Sequence, residues 1–99
     1  MPNIAEQLSS YAAGLHYDDL PPEVVHQAKR FIIDTLGCAI GGYDSEPARI
    51  AIDMASTVTS KQPATVLVSN GSSSPDMATF ANGVMIRFLD FNDGYTSKE

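Results

Sequence analysis

The stretch PPEVVHQAKRFIIDTLGCAIGG, Pro21 to Gly42, limits the fold of this chain more than any other. Pro21-Pro22 opens a helix, because a proline in the first turn gives up an N–H that has no helical partner there anyway. Val24, Ala28, Phe31, Ile32, Thr35, Leu36 and Ala39 then recur at helical spacing as far as Gly41-Gly42. Ile33, Cys38 and Ile40 widen that stripe until the last three turns keep little polar surface, so this end is expected to be buried. Gly37 and Gly41 are expected to let another backbone come close, and the interior glycine costs about 1 kcal/mol of helix propensity.

Ninety-nine residues make at most one small domain, and a domain of that size leaves much of its apolar surface in water unless something covers it. A helix as apolar as this one therefore calls for a partner chain or for further sequence. With 43% hydrophobic and 18% charged residues the composition is that of a folded chain.

The other segments separate at Gly and Pro, with no internal repeat. Asn3 and Glu6 form a capping-box pattern ahead of Ile4, Leu8, Tyr11, Ala12 and Leu15, which predicts a first helix ended by Gly14. A third helix is predicted from Asp44-Ser45-Glu46-Pro47, with Ala48, Ala51, Met54, Ala55 and Val58 inward. Thr65 to Ser69, TVLVS, suits a short strand. Asn70-Gly71 is a turn signal that could start a hairpin, but Ser72-Ser73-Ser74 is a poor return strand. Ser74-Pro75-Asp76 starts a fourth helix with Met77, Phe80, Ala81, Val84, Met85 and Phe88 on its apolar face. The expected fold class is mainly α, with at most one short strand near residues 65–69.

Charge and motifs exclude several functions. Twelve acidic against six basic residues give a net charge of -6, which disfavours nonspecific binding to nucleic acid or an anionic membrane. No apolar run approaches the roughly 20 residues that span a bilayer, and MPNIAEQLSS is not a secretory signal. A soluble cytoplasmic protein is the expectation. The lone Cys38 forms no internal disulfide and reads as a small core residue. His16 and His26 have no partner at metal-ligand spacing, and Asn70-Gly71-Ser72 reads as a turn before it reads as a glycosylation site. No nucleotide-binding glycine motif and no serine-nucleophile elbow occurs.

The last stretch, LDFNDGYTSKE, gathers acids, an amide and aromatics. A calcium loop opening at Asp90 wants glycine at position 6 and glutamate at 12, whereas Gly94 and Glu99 fall at 5 and 10. A helix end capped by Gly94 accounts for the glycine but not for Asp90 and Asp93, since carboxylates are unfavourable at a helix C-terminus. Two carboxylates three apart can instead share a face and shift one another's titration toward acid–base use. The residues alone leave a solvated helix end and a functional site both open.

Two stretches resemble the N-terminal region of the MmgE/PrpD family. They are LPPEVVHQAKRFIIDTLGCAIGGYDSEPAR, with Asp34-Thr35-Leu36-Gly37 at its centre, and FANGVMIRFLDFNDGYTSKE, with Asn82-Gly83 followed by Leu89-Asp90-Phe91-Asn92-Asp93. The resemblance covers essentially the whole chain. It implies a much longer protein, with a large all-helical domain to which residues 1–99 contribute an incomplete N-terminal part, a separate α/β lid domain, and a homodimer. It also implies a cofactor-independent lyase acting on tricarboxylates, such as a 2-methylcitrate dehydratase of propionate breakdown, with cis-aconitate decarboxylases and iminodisuccinate epimerases as relatives.

Matched position by position, the resemblance makes Asp90 the active-site aspartate, and Asn92 and Asp93 supporting or pocket-lining residues. It implies no metal. LDFND leans toward the dehydratase branch. Gly94 stands where several relatives have threonine, and the family motif continues into a His-Pro that lies beyond Glu99, so the 99 residues by themselves are expected to be catalytically incompetent. The competing expectation is a noncatalytic helical module whose apolar faces bind a partner.

Overall fold

The computed structural model describes residues 1–91. Four helices and one hairpin follow in the order α1 (Ile4–Gly14), a single 3-10 turn (Tyr17–Asp19), α2 (Pro22–Gly42), α3 (Glu46–Ser56), β1 (Ala64–Val66), β2 (Gly71–Ser73) and α4 (Pro75–Arg87). The fold is mainly α, as expected. α4 is the hub: α2, α3 and both strands pack against it.

Local chemistry sets the helix starts. Asn3 accepts from the Glu6 N–H while the Glu6 carboxylate accepts from the Asn3 N–H, each at 2.9 Å. Ser45 caps α3, its hydroxyl accepting from the Ala48 N–H and donating to the Gly42 carbonyl at 2.7 Å. That second bond ties the end of α2 to the start of α3. At α4 the Asp76 carboxyl is held below its ordinary value, first by the Ser74 hydroxyl and then by the Met77 N–H.

The core is made of small side chains. Ala39 of α2, Ala48, Ala51 and Ala55 of α3, Val66 of β1, and Ala78, Ala81 and Met85 of α4 form one buried cluster. Alanine at contact positions brings helix axes toward the short end of the usual 8–10 Å separation. The closest approach lies at the end of α2. A side chain added at Gly42 would run into the Met85 carbonyl and come within 3.2 Å of the Phe88 Cβ, and one at Gly41 would meet the Leu89 Cδ1 at 2.6 Å. Gly37 has open space around it, so the close packing predicted for Gly37 and Gly41 belongs to Gly41 and Gly42.

The strand expectation is corrected. Ser72 and Ser73 do form a return strand, pairing Ala64 with Ser73, Thr65 with Ser72 and Val66 with Gly71 in antiparallel register. Tertiary bonds supply what strand propensity lacks. The buried Ser73 hydroxyl donates to the Ala55 carbonyl at 2.7 Å, adding to the bond that carbonyl accepts from the Val58 N–H and tying β2 to the end of α3. Asn82 of α4 accepts from the Leu67 N–H at 2.8 Å and donates to the Thr65 carbonyl at 3.0 Å. The loop between the strands is tight. The Ser69 N–H reaches the Leu67 carbonyl around Val68, which is left-handed with φ 65°, an uncommon state for a β-branched residue.

The end of α2 is not covered as predicted. Cys38, Ala39 and Gly42 are buried against the rest of the fold, but Ile33 and Ile40 on the opposite side are 70% and 67% exposed, and Ile32, farther back on the stripe of Ala39, is 60% exposed. α1 forms where expected, yet none of its residues is buried.

Candidate functional site

Asp90 stands just beyond α4. The helix ends at Arg87, earlier than its apolar spacing suggests, with Phe88 still in helical conformation as the C-cap. Asp90 itself takes the left-handed position with φ 55°, which Asp tolerates better than most residues because its short polar side chain bonds locally. The expected cap, Gly94, lies outside the described residues, as do Asn92 and Asp93. The structure therefore places Asp90 alone of the three predicted site residues.

Two contacts hold Asp90. Its N–H donates to the Arg87 carbonyl at 3.1 Å, which uses one of the unpaired acceptors at the helix end. Its Oδ1 lies 3.2 Å from an Arg87 terminal nitrogen, with the side chains of Arg87 and Asp90 67% and 81% exposed. Arg87 sits in the last turn, where the partial negative charge of the helix C-terminus favours a cation and disfavours the neighbouring carboxylate. The ion pair offsets that disfavoured charge at Asp90.

The contacts of α2 fix where this end of α4 lies. Gly42 abuts Met85 and Phe88, and Gly41 lies against Leu89, the residue before Asp90. Sequence reasoning placed glycine packing on this helix without its target, because the target is set by a contact between segments more than 40 residues apart. Asn82, part of the resemblance through Asn82-Gly83, proves to be the clamp between α4 and the hairpin. A buried or half-buried asparagine on an otherwise apolar helix face was the signal that could have found it.

The other candidates are bland. Cys38 is a free, buried thiol. His16 and His26 are exposed, and among the described residues no three His, Cys, Asp or Glu side chains are grouped to hold a metal ion. Hollows of about 190 Å³, beside Tyr43 and Arg49, and about 430 Å³, beside Asp18, His26 and Lys29, are not lined by Asp90. Among the described residues no helix is long and apolar enough to cross a membrane.

Human cis-aconitate decarboxylase is 33% identical over 92 residues, which is 92% of this chain and 19% of the human protein. The chain thus spans about a fifth of the length of that relative. No solved structure matches it. The family model for the MmgE/PrpD N-terminal domain matches residues 6–99. A chain of four helices and one hairpin that this model matches over nearly its whole length belongs to the MmgE/PrpD family through its N-terminal domain.

Proposed function

We propose that these residues are the N-terminal part of a cofactor-independent lyase acting on tricarboxylates, in which Asp90 handles the proton at the reacting carbon. The observation that carries this reading is family membership over residues 6–99, with Asp90 exposed at the helix end where substrate can reach it.

The first reading of the reaction is dehydration of 2-methylcitrate to 2-methylaconitate. A base removes a proton from the carbon next to a carboxylate, the electron pair forms the double bond, and the hydroxyl leaves as water after taking up a proton. The Asp90 carboxylate is the base in that scheme, and Asn92 and Asp93 line or orient the pocket. A second reading is favoured by the human relative, which is a cis-aconitate decarboxylase. There the carbon–carboxylate bond breaks, CO2 leaves, and the electron pair left on carbon takes a proton from a protonated acid. Both routes pass through a carbanion-like centre beside carboxylates, so one aspartate serves either.

The uncovered side of α2 and the exposed α1 fit an incomplete helical domain, whose remaining helices and separate lid domain come from a longer homodimeric protein. On this reading the 99 residues alone turn over neither substrate.

The test is to incubate the protein, as its gene encodes it, with 2-methylcitrate and with cis-aconitate, following the ultraviolet absorbance of the new double bond in one case and CO2 release in the other. Asp90→Ala is expected to lower kcat/KM about 10²- to 10⁴-fold on the active substrate. Near-normal turnover by that variant removes Asp90 from the chemistry. Failure on both substrates overturns the lyase reading in favour of a noncatalytic module.

A further inference from the structure

We propose that Leu89 is a positioning residue: seated against Gly41 of α2, it holds Asp90 in the left-handed conformation that aims its carboxylate. The proposal rests on the reading of Asp90 given above and adds the contact that fixes its direction.

Asp90 has φ 55°, a region that is costly for a residue with a Cβ and persists where neighbouring contacts impose it. Val68 and Asn70 share that state, but both lie in the tight loop of the hairpin, where the turn imposes it. Asp90 stands past the end of a helix, with no such turn around it. Its N–H bond to the Arg87 carbonyl at 3.1 Å fixes one side of the residue, and the exposed contact between the Asp90 and Arg87 side chains adds little. Of residues 87–91, only Leu89 is half-buried, and the other four are exposed. Leu89 is therefore the side chain that ties this stretch to the body of the fold.

The seat exists because position 41 has no side chain. A Cβ there would stand 2.6 Å from the Leu89 Cδ1 and 3.8 Å from its Cγ, so the end of the leucine fills the space that any other residue would claim. Gly41 does not have a positive φ, and its backbone would accept another residue. What calls for glycine is the approach of Leu89. Gly42 next to it differs, because a Cβ there meets the Met85 carbonyl, which is backbone and cannot turn aside. At Gly41 an added methyl meets only the far end of a flexible side chain. Gly41→Ala thus unseats Leu89 without driving the helices apart, and it raises the helix propensity of α2.

Leu89 and Asp90 share one peptide. With Leu89 held by its seat and the Asp90 N–H bonded back to Arg87, that peptide is fixed at both ends, and the direction of the Asp90 side chain follows. Proton transfer depends on that direction, since a displacement of about 1 Å can cost about 10²-fold in rate.

The experiment uses the protein as its gene encodes it, with three readouts: thermal melts, hydrogen–deuterium exchange of the segment covering residues 87–91, and turnover of 2-methylcitrate and cis-aconitate. Gly41→Ala is expected to melt no lower than wild type, to take up deuterium faster in that segment, and to lose about 10- to 100-fold in kcat with KM within about 3-fold. A merely structural contact would not separate stability from kcat in this way. Leu89→Ala should show the same uptake and the same loss of kcat. The double variant should be no worse than either single one, because both remove one contact. Leu89→Met, whose flexible side chain reaches the same seat, should recover most of the kcat.

Unchanged uptake in Gly41→Ala and Leu89→Ala overturns the seat. Losses of kcat that multiply in the double variant overturn it as well, and so does faster uptake with undiminished kcat. Faster uptake in both variants without turnover of either substrate by the wild type supports the seat and sinks the lyase reading, so the two proposals fail separately.

Discussion

Replacing Asn82 with alanine tests whether the hairpin exists because α4 holds it there. The Asn82 amide accepts from the half-buried Leu67 N–H and donates to the more exposed Thr65 carbonyl. Removing it leaves the Leu67 donor unpaired, at about 1–2 kcal/mol, and forfeits the Thr65 bond at about 0.5–1 kcal/mol, because that carbonyl can turn to water. A two-stranded hairpin is marginal by itself, so about 2 kcal/mol is the expected loss. For a chain of this size the urea m-value is about 1–2 kcal/mol/M, and the midpoint should fall by about 1–2 M. Far-UV circular dichroism follows unfolding, and hydrogen exchange at the Leu67 amide reports the local event. Asn82→Asp keeps an acceptor for Leu67 but sets a carboxylate oxygen against the Thr65 carbonyl, so it should retain Leu67 protection while still losing stability. The reasoning fails if Asn82→Ala stays within about 0.5 kcal/mol of wild type, the scatter of ordinary surface changes, with Leu67 exchanging no faster.

Two further tests concern the glycines and acid. Gly42→Ala drives a methyl into the Met85 backbone and should cost about 1–3 kcal/mol, as overpacking does, whereas Gly37→Ala meets open space and should gain up to about 1 kcal/mol of helix propensity. Thermal melts that rank the two variants alike would contradict the packing at the end of α2. Asp76 is held below its ordinary value of 3.8 by the Ser74 hydroxyl and the Met77 N–H. The unfolded chain therefore binds this proton more readily, so the contribution is full above 3.8 and disappears as pH falls through the depressed folded value. Asp76→Asn should flatten that part of the stability–pH curve, and an unchanged acid slope in urea titrations would dismiss the interaction.

The helices were legible because their information is local. Capping residues at Asn3, Ser45 and Ser74, prolines in first turns, and apolar spacing are all read within a few residues, and each start agrees with the structure. What escaped was set at a distance. Ser73 is an unpromising strand residue until its hydroxyl meets the Ala55 carbonyl, 18 residues away. Phe88 continues the apolar face of α4 on paper, but the helix ends before it, and the chain turns left-handed at Asp90. The motif located the candidate aspartate without its geometry, since the Arg87 partner and the seating of Leu89 on Gly41 follow from how helices meet.

α2 joins these observations into one argument about the site. Its small side, Cys38, Ala39 and Gly42, is buried, with Ala39 in the core cluster and Gly42 against Met85 and Phe88 of α4. Its opposite side, with Ile33 and Ile40, stays in water, although burying each such side chain is worth about 1.5–3 kcal/mol. If α2 were meant only to support this chain, large residues would serve better on the packed side, and the exposed side would be polar. The division is the one expected of a helix between two layers in the proposed larger domain: small residues let α4 come close, and Ile33 and Ile40 would anchor a second layer. Covering that second side is therefore expected to stabilise α2 and, through Gly41 and Gly42, to hold Leu89 and Asp90 more firmly. Ile33→Glu separates the two roles. It should leave the helical signal of these 99 residues nearly unchanged, because Ile33 is exposed here, and should sharply lower the stability of the longer protein proposed above, in which a buried unpaired carboxylate would cost several kcal/mol. Equal tolerance in both would mean that nothing covers this face.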